Sequence, residues 1–478
     1  MATSSSARNA VSIGCSLGLA VVLGCRRAPA HGPEPADPPD IVLVSIDSLR
    51  PDHLGCYGYK KPTSPTIDAL ARRGVRCDVA ITTTSWTLPA HAAMLTGLFD
   101  TTHGVADNGL RLSDEIPTLA EVLHAHGYKT AGFFGGPYLD PTYGFDRGFE
   151  HYESCMNREA TDSHRDVTGP RTVEAVKGWL DRECAPGERR PLFLFIHLWD
   201  VHYDYMPPRE YVERFDPGYA GSLDGRDFLH DPSIDAHMAP RDFDHLVALY
   251  DGEIRFTDEN LGRILEAIDR KGRLEKALVL VTADHGEEFF EHGNKGHQRS
   301  IFDEVVHVPW VVAWPGHLTA GSIVPDQVRI VDVMPTLFGL AGIAQGPGAG
   351  LPPMDGRDVS PLLRGERMEP APALLELLVD GNQVFGFRTD RSKTITWPKA
   401  GVSYRYDLRL DPREGAPIAA ERSTEVEAFR ALDGAIEAAA AQKTNGRARR
   451  VEIGADLRRR LGVLGYTEDA PAGTAGPR

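Results

Sequence analysis

The chain has 478 residues, 41% hydrophobic and 25% charged, enough for one large domain with a buried core plus an accessory one. Its formal net charge of −16 excludes the basic face that a nucleic-acid partner requires. An anionic small substrate stays open, provided local cations or a metal offset the field.

The first element is an export signal. Arg8 precedes the run NAVSIGCSLGLAVVLGC, the length of a signal-peptide apolar core and short of the ~20 residues of a spanning helix. The run closes on VLGC, with Gly24 before Cys25, the pattern of a lipid-modified cysteine; ordinary cleavage at APA, residues 28–30, is the alternative. Both predict an exported protein, periplasmic or in the cell envelope. Lipidation at Cys25 would tether it to a membrane without spanning. Residues 1–25 are read as the signal and 26–39, rich in Pro and Ala, as a linker. Cys56, Cys77, Cys155 and Cys184 contain no CxxC pair, which argues against a zinc–thiolate site. In an oxidising compartment they allow three disulfide pairings, and spacing does not choose among them.

Short apolar runs then alternate with helical spacing. DIVLVSID (40–47), YKTAGFFGG (128–136), PLFLFIHLWD (191–200) and KALVLVTADHG (276–286) read as buried strands. PTIDALARRG, IPTLAEVLHAHG and FTDENLGRILEAIDRKG read as helices ending near glycine. This alternation predicts an α/β domain over 40–345 with a mainly parallel sheet flanked by helices. FDPGYAGSLDGRDFLHDPSIDAHMAP (215–240) reads as a long insert near a pocket mouth. From 346 to 466 the pattern becomes turn-rich. ALLELLVDGNQVFGFRTDRSKTITW predicts antiparallel strands and STEVEAFRALDGAIEAAAAQ a helix, together a smaller C-terminal α+β subdomain. Residues 467–478 read as a disordered tail.

Several strands end in polar clusters: Asp47, then Asp200 with His202, then Asp284 with His285. Ligands of open α/β sheets bind at such carboxyl ends, so these residues outline a metal pocket. Imidazole beside carboxylates suits Mn²⁺, Zn²⁺ or Mg²⁺ better than Ca²⁺. Each residue alone also reads as a loop or helix cap. Thr87 stands in TTTSWTLPAHAAMLTG (82–97), with Pro89 two residues on marking the first turn of a helix. A hydroxyl there faces free N–H groups and the helix dipole, and metal coordination can make it a nucleophile. Taken alone, a threonine at this place is simply a helix cap.

CYG, PTIDALARRGVRC, PAHAAMLTG, GFDRGF, YDGEIRFTDENLGRIL, TADHGE and VPWVVAWPG occur in that order, and YRYDLRLDPRE (404–414) follows. The series resembles the sulfatase family of the alkaline phosphatase superfamily over roughly residues 40 to 345, with YRYDLRLDPRE similar to its C-terminal subdomain. The resemblance implies an ester hydrolase with an alkaline-phosphatase-like sheet. Family members carry a Cys or Ser matured to formylglycine, followed by x-Pro-Ser/Ala-Arg. Here that position is Thr87, with Pro89 and Ala90 in place and His91 where arginine is expected. A secondary alcohol would oxidise to a ketone, so no formylglycine is expected. The family's paired aspartates become Asp47–Ser48, its Asp–Asn pair becomes Asp284–His285, and its sulfate-contacting lysine aligns near Gln298, with Lys295 and His297 beside it.

These departures resemble the phosphoryl-handling branches, which implies one divalent metal on Asp47, Thr87, Asp284 and His285. His202 is then the leaving-group acid, with His91 and His297 holding charge on the transferring group; Asp200, His202 and His297 fit a second metal poorly. The leading expectation is hydrolysis of phosphate or phosphonate esters through a covalent Thr87 intermediate. A sulfuric ester hydrolase using Thr87 is the alternative, and an inactive lipid-tethered binding protein the alternative of another class. The expected partner is an anionic ester, small or part of a glycan, with no nucleic acid and no membrane contact beyond the N-terminal lipid. The oligomeric state is open.

Overall fold

The computed structural model describes residues 38–157, 166–185, 187–346, 348, 350–379, 382–445, 448–464 and 466. The signal, Cys25 and the tail after residue 466 lie outside the described residues.

The eight-stranded central sheet is built from β1 (Ile41–Ile46), β2 (Val75–Cys77), β3 (Lys129–Phe134), β4 (His151–Ser154), β5 (Leu192–Leu198), β6 (Leu278–Ala283), β7 (Trp310–Ala313) and β8 (Ser322–Val324). Their order across the sheet is β8-β2-β7-β6-β1-β5-β3-β4. The block β6-β1-β5-β3-β4 is parallel throughout, and β7 runs antiparallel to β6 and to β2. Every residue of β1, β5 and β6 is buried. That explains their unbroken apolar spelling, IVLVSI, LFLFIHL and LVLVTA: a parallel strand covered on both faces has no solvent side to alternate with.

Register sets up the site. Ser45 pairs with both His197 and Thr282, and Ile46 with Leu198 and Ala283. Asp47 and Asp284 therefore each stand one residue beyond neighbouring parallel strands, which lie ~4.8 Å apart.

Among the helices, α1 (Thr87–Thr96) begins with Trp86 as its extended N-cap residue and stops at Gly97, left-handed with φ 71°. All ten of its residues are buried. The helices α2 (Gly169–Glu183) and α3 (Pro240–Arg270) pack on one another. The sequence pattern marks only the second half of α3, because its first half mixes Asp, His and Tyr with the apolar positions. Beyond residue 346, β9 (Ala373–Val379), β10 (Asn382–Arg388), β11 (Ser392–Trp397), β12 (Val402–Asp407) and β13 (Ile418–Ala419) form an antiparallel meander. The helix α4 (Val426–Asn445) covers β10 through Phe385, Phe387 and Leu432. The chain does not end on this subdomain. Among the described residues the last helix, α5 (Ala455–Val463), returns to the catalytic core, where Leu457, Leu461 and Leu464 are buried. Cys56, Cys77, Cys155 and Cys184 are all unpaired thiols.

Candidate active site

Asp47 extends β1 by donating its N–H to Leu198 O at 3.0 Å. The chain then turns at Ser48, which is left-handed at φ 54°. Two bonds hold that conformation: Ser48 N–H donates to Asp284 Oδ1 (3.3 Å) and Ser48 Oγ to Asp47 Oδ1 (2.8 Å). Beyond β6, His285 N–H donates to the same Asp284 Oδ1 at 2.9 Å. Nδ1–H of His285 donates to Gly286 O (2.9 Å), which leaves Nε2 as the free lone pair. Gly286 is required here, since a Cβ would lie 2.1 Å from Glu304 O.

Thr87, the first residue of α1, enters this cluster. Its Oγ1 lies 3.3 Å from Asp47 Oδ2 and 3.3 Å from His285 Nε2. Ligand atoms of Asp47, Asp284 and His285 all lie within 4.8 Å of one another, and all three residues are buried. The structure thus brings together the Asp47–Thr87–Asp284–His285 set read from the sequence.

A divalent cation fits this donor set. Both carboxylates are 0% exposed, and Asp284 Oδ2 has no hydrogen-bond donor. Among the described residues, the basic groups within 4 Å of them are histidines: His197 and His285 at Asp47, His91 and His285 at Asp284. Burial drives His91 and His197 down to about 4, so neither compensates the charge at neutral pH. Burial opposes charge on His285 too, yet the Asp284 and Asp47 carboxylates outweigh it and raise its pKa. Two buried carboxylates side by side need a positive charge between them, which a bound cation would supply.

His197 was not singled out in the sequence. Neither of its ring nitrogens has a hydrogen-bond partner, and Nε2 lies 3.4 Å from Asp47 Oδ2. It is a further candidate ligand. The available signal was its place in β5 opposite Ser45, where an apolar residue would otherwise continue LFLFI.

His91 sits differently from the expectation of an anion contact. Its Nδ1–H donates to the Thr87 carbonyl at 2.9 Å, and its Nε2 accepts from Ser45 Oγ at 2.9 Å. Both nitrogens are spent bracing α1 against β1, so His91 anchors the helix that carries Thr87. Asp200 is likewise engaged elsewhere: it accepts Thr168 N–H (2.7 Å) and Gly169 N–H (2.6 Å) at the start of α2. Lys295 Nζ donates to Asp231 O and Ile234 O of the 215–240 insert.

His202 and His297 face one another with ring centroids 5.0 Å apart, and the His297 ring is 4.3 Å from that of His285. Burial holds both well below the usual histidine value, so each works as a neutral imidazole. His202 Nδ1–H donates to Tyr203 O at 2.5 Å, leaving Nε2 as acceptor. His297 Nδ1 lies 3.0 Å from Glu287 Oε1, and burial pushes the Glu287 carboxyl up to about 8. Both Nε2 atoms point at the hydroxyl of Tyr466, at 2.6 and 2.9 Å. Sequence reading placed Tyr466 at the edge of a disordered tail and missed it. Alongside, a cavity of about 290 Å³ is lined by His202, Tyr203, Trp199, Glu253 and, from the insert, Arg226.

The family model described as Sulfatase matches residues 39–343. This chain belongs to the sulfatase family. A second model, described as N-sulphoglucosamine sulphohydrolase, C-terminal, matches residues 291–439. Arylsulfatase A of Homo sapiens is 29% identical over 443 residues, covering 80% of this chain and 79% of that protein. The ulvan-active sulfatase of Formosa agariphila is 25% identical over 406 residues, covering 78% and 76%. Among solved structures, one described in complex with its substrate D-glucosamine-2-N,6-O-disulfate superposes with a TM-score of 0.69 at 19% identity, over 86% of this chain and 99% of that one. The phosphonate monoester hydrolase of Agrobacterium radiobacter gives 0.66 at 22% identity, over 84% and 96%. The chain is therefore a hydrolase acting on ester bonds, with the family's α/β fold. The curated relatives named here are sulfatases, while one of the solved neighbours is a phosphonate monoester hydrolase.

Proposed function

We propose that this sulfatase-family hydrolase is an exported, lipid-tethered sulfuric-ester hydrolase that uses Thr87 in place of formylglycine. One observation carries the reading: Thr87 Oγ1 stands 3.3 Å from both Asp47 Oδ2 and His285 Nε2 at the start of a buried helix. Asp47, Thr87, Asp284 and His285 would hold one Mn²⁺, Zn²⁺ or Mg²⁺, which supplies a lowered hydroxyl pKa and Lewis acidity toward the ester oxygens. In the proposed reaction Thr87 directs its hydrogen at Asp47 Oδ2 and its oxygen attacks sulfur in line. The Oγ1–S bond forms as the bond to the leaving oxygen breaks. The N–H groups opening α1 and the His297 imidazole stabilise charge on the transferring group. The proton displaced from Thr87 passes through His202 Nε2, which carries a lone pair, to the leaving oxygen. Water then cleaves the threonine ester, restoring the hydroxyl and releasing sulfate. The names of the curated relatives support a sulfated glycan or other sulfate ester as substrate class.

A second reading, phosphate or phosphonate esters, is favoured by the secondary alcohol itself. Without the hemiacetal collapse open to formylglycine, a threonine ester must be hydrolysed directly, which is easier for a phosphoryl than a sulfuryl enzyme. Parallel assays of metal-loaded protein with an aryl sulfate, an aryl phosphate diester and an aryl phosphonate monoester separate them. The sulfate is expected to turn over fastest; a phosphonate preference of about tenfold or more, ~1.4 kcal/mol in the barrier, transfers the assignment to the second reading. Failure to turn over any of them, together with failure to retain a divalent metal, identifies a binding protein instead.

A further inference from the structure

The C-terminal segment reaches the catalytic pocket from outside the regions matched by either family model, which end at residues 343 and 439. Its helix α5 is fixed in the core by Leu457, Leu461 and Leu464, exposed by 7, 0 and 1%. Arg460 adds a tie to Asn157 O at 3.2 Å. Just past it, Tyr466 N–H donates to Leu461 O (2.8 Å), and Asn108 Nδ2–H donates to Tyr466 O (2.8 Å). These bonds aim the ring inward beside Tyr138, with centroids 4.9 Å apart.

The hydroxyl at its tip has one hydrogen and two lone pairs. Because His202 Nδ1 carries its hydrogen toward Tyr203 O, the phenol donates to His202 Nε2 at 2.6 Å. Its oxygen lies 2.9 Å from His297 Nε2 and accepts from the Tyr203 hydroxyl at 3.1 Å. Three polar groups hold the phenol, and the pocket-facing nitrogens of both histidines are among them. An ester substrate needs those same two nitrogens, one for its leaving oxygen and one for its transferring group. Thr87 is meanwhile only 1% exposed. The phenol and the substrate compete for one place.

We propose that Tyr466 is a built-in occupant of the substrate pocket, its hydroxyl standing where a substrate oxygen binds, so that this residue sets how tightly and which esters enter. The inference rests on the reading of His202 and His297 as substrate contacts. Since the leucines hold α5, only the side chain beyond the helix has to turn away. Occupancy by Tyr466 lowers apparent affinity by the fraction of molecules in which it has turned out. Phenylalanine at 466 keeps the ring and loses the bonds; alanine loses both.

The test is a KM-against-kcat comparison of metal-loaded wild type, Tyr466→Phe and Tyr466→Ala on 4-nitrophenyl sulfate and on the matching phenylphosphonate ester. Using both series leaves the comparison readable whichever ester is the substrate. Both variants are expected to lower KM, by about tenfold for the loss of hydrogen bonds of ordinary strength, with kcat within about threefold. Calorimetric binding of 4-nitrophenyl sulfate and of the phosphonate ester to Thr87→Ala and to Thr87→Ala/Tyr466→Ala gives a readout independent of turnover. Tighter binding to the double variant supports the inference. Unchanged or weaker binding, or a fall in kcat/KM in both Tyr466 variants, overturns it and makes Tyr466 a fixed part of the catalytic wall. If Thr87→Ala still turns substrate over, the nucleophile assignment fails, and the effect of Tyr466 on KM still decides this proposal.

Discussion

Replacing Thr87 by alanine separates its chemical role from its structural one. The hydroxyl makes two long contacts of 3.3 Å, so its loss costs about 1 kcal/mol of stability. The buried γ-methyl group adds about 1 kcal/mol. A total near 2 kcal/mol leaves a folded protein, since domains of this kind are stable by ~5–15 kcal/mol. The catalytic loss is expected to be far larger. Removing the attacking atom leaves only binding and charge stabilisation, so kcat should fall by at least about 10³-fold, ~4 kcal/mol. Thr87→Ser, which keeps the oxygen, should stay within about tenfold of wild type. Thermal melts monitor the fold while steady-state assays on the best of the three aryl esters read turnover. A folded, metal-loaded Thr87→Ala protein retaining turnover within tenfold of wild type would refute the nucleophile assignment.

Chelation should destabilise the protein, and Mn²⁺ or Zn²⁺ at about a hundred times its dissociation constant should restore ~2.7 kcal/mol. Asp284→Asn should show no metal-dependent rise in melting temperature, and a wild type indifferent to metal contradicts the donor set. His91, held at about 4 by burial, gives a pH signature. Between its usual value of ~6.5 and about 4, the unfolded chain binds a proton that the folded chain refuses. This term of stability is therefore complete above ~6.5 and lost as pH falls, by ~2 kcal/mol at pH 5. Denaturant melts at pH 7 and 5 should show a shallower decline for His91→Gln, and equal slopes would contradict the neutral bracing role. Gly286→Ala forces a Cβ against Glu304 O, 2.1 Å away, and should displace His285. Metal analysis should find that variant depleted, and full occupancy would contradict the tight turn.

The strands were legible because β1, β5 and β6 are buried on both faces and spell it as unbroken apolar runs, each ending in a polar residue. That ending grouped Asp47, Asp200 with His202, and Asp284 with His285 before any coordinates, and of these Asp200 is engaged at the start of α2 instead. His91 illustrates the limit. Its position next to Pro89 and Ala90 suggests an anion contact, but which way an imidazole on the first turns of a helix points depends on what lies behind it. Here that is Ser45, across from it on β1. His197 was hidden by its apolar neighbours, since one imidazole within LFLFIHL reads as part of a core strand. Tyr466 was the least legible. Nothing local distinguishes a tyrosine after a short Arg-rich helix from a frayed terminus, and only the burial of Leu457, Leu461 and Leu464 against the catalytic core brings it to the pocket. The 215–240 insert reaches the cavity through Arg226, while its partner chemistry is not spelled in its loop residues.

Rapid-quench mass spectrometry of the peptide containing Thr87, taken during turnover of the preferred aryl ester by metal-loaded enzyme, bears most directly on the proposed chemistry. A transient increment of one sulfuryl or phosphoryl group on Thr87, formed before product sulfate or phosphate appears in solution, is the expected result. A peptide that stays unmodified from the first millisecond samples through steady state, with the alcohol released in a burst, would contradict covalent catalysis by this threonine.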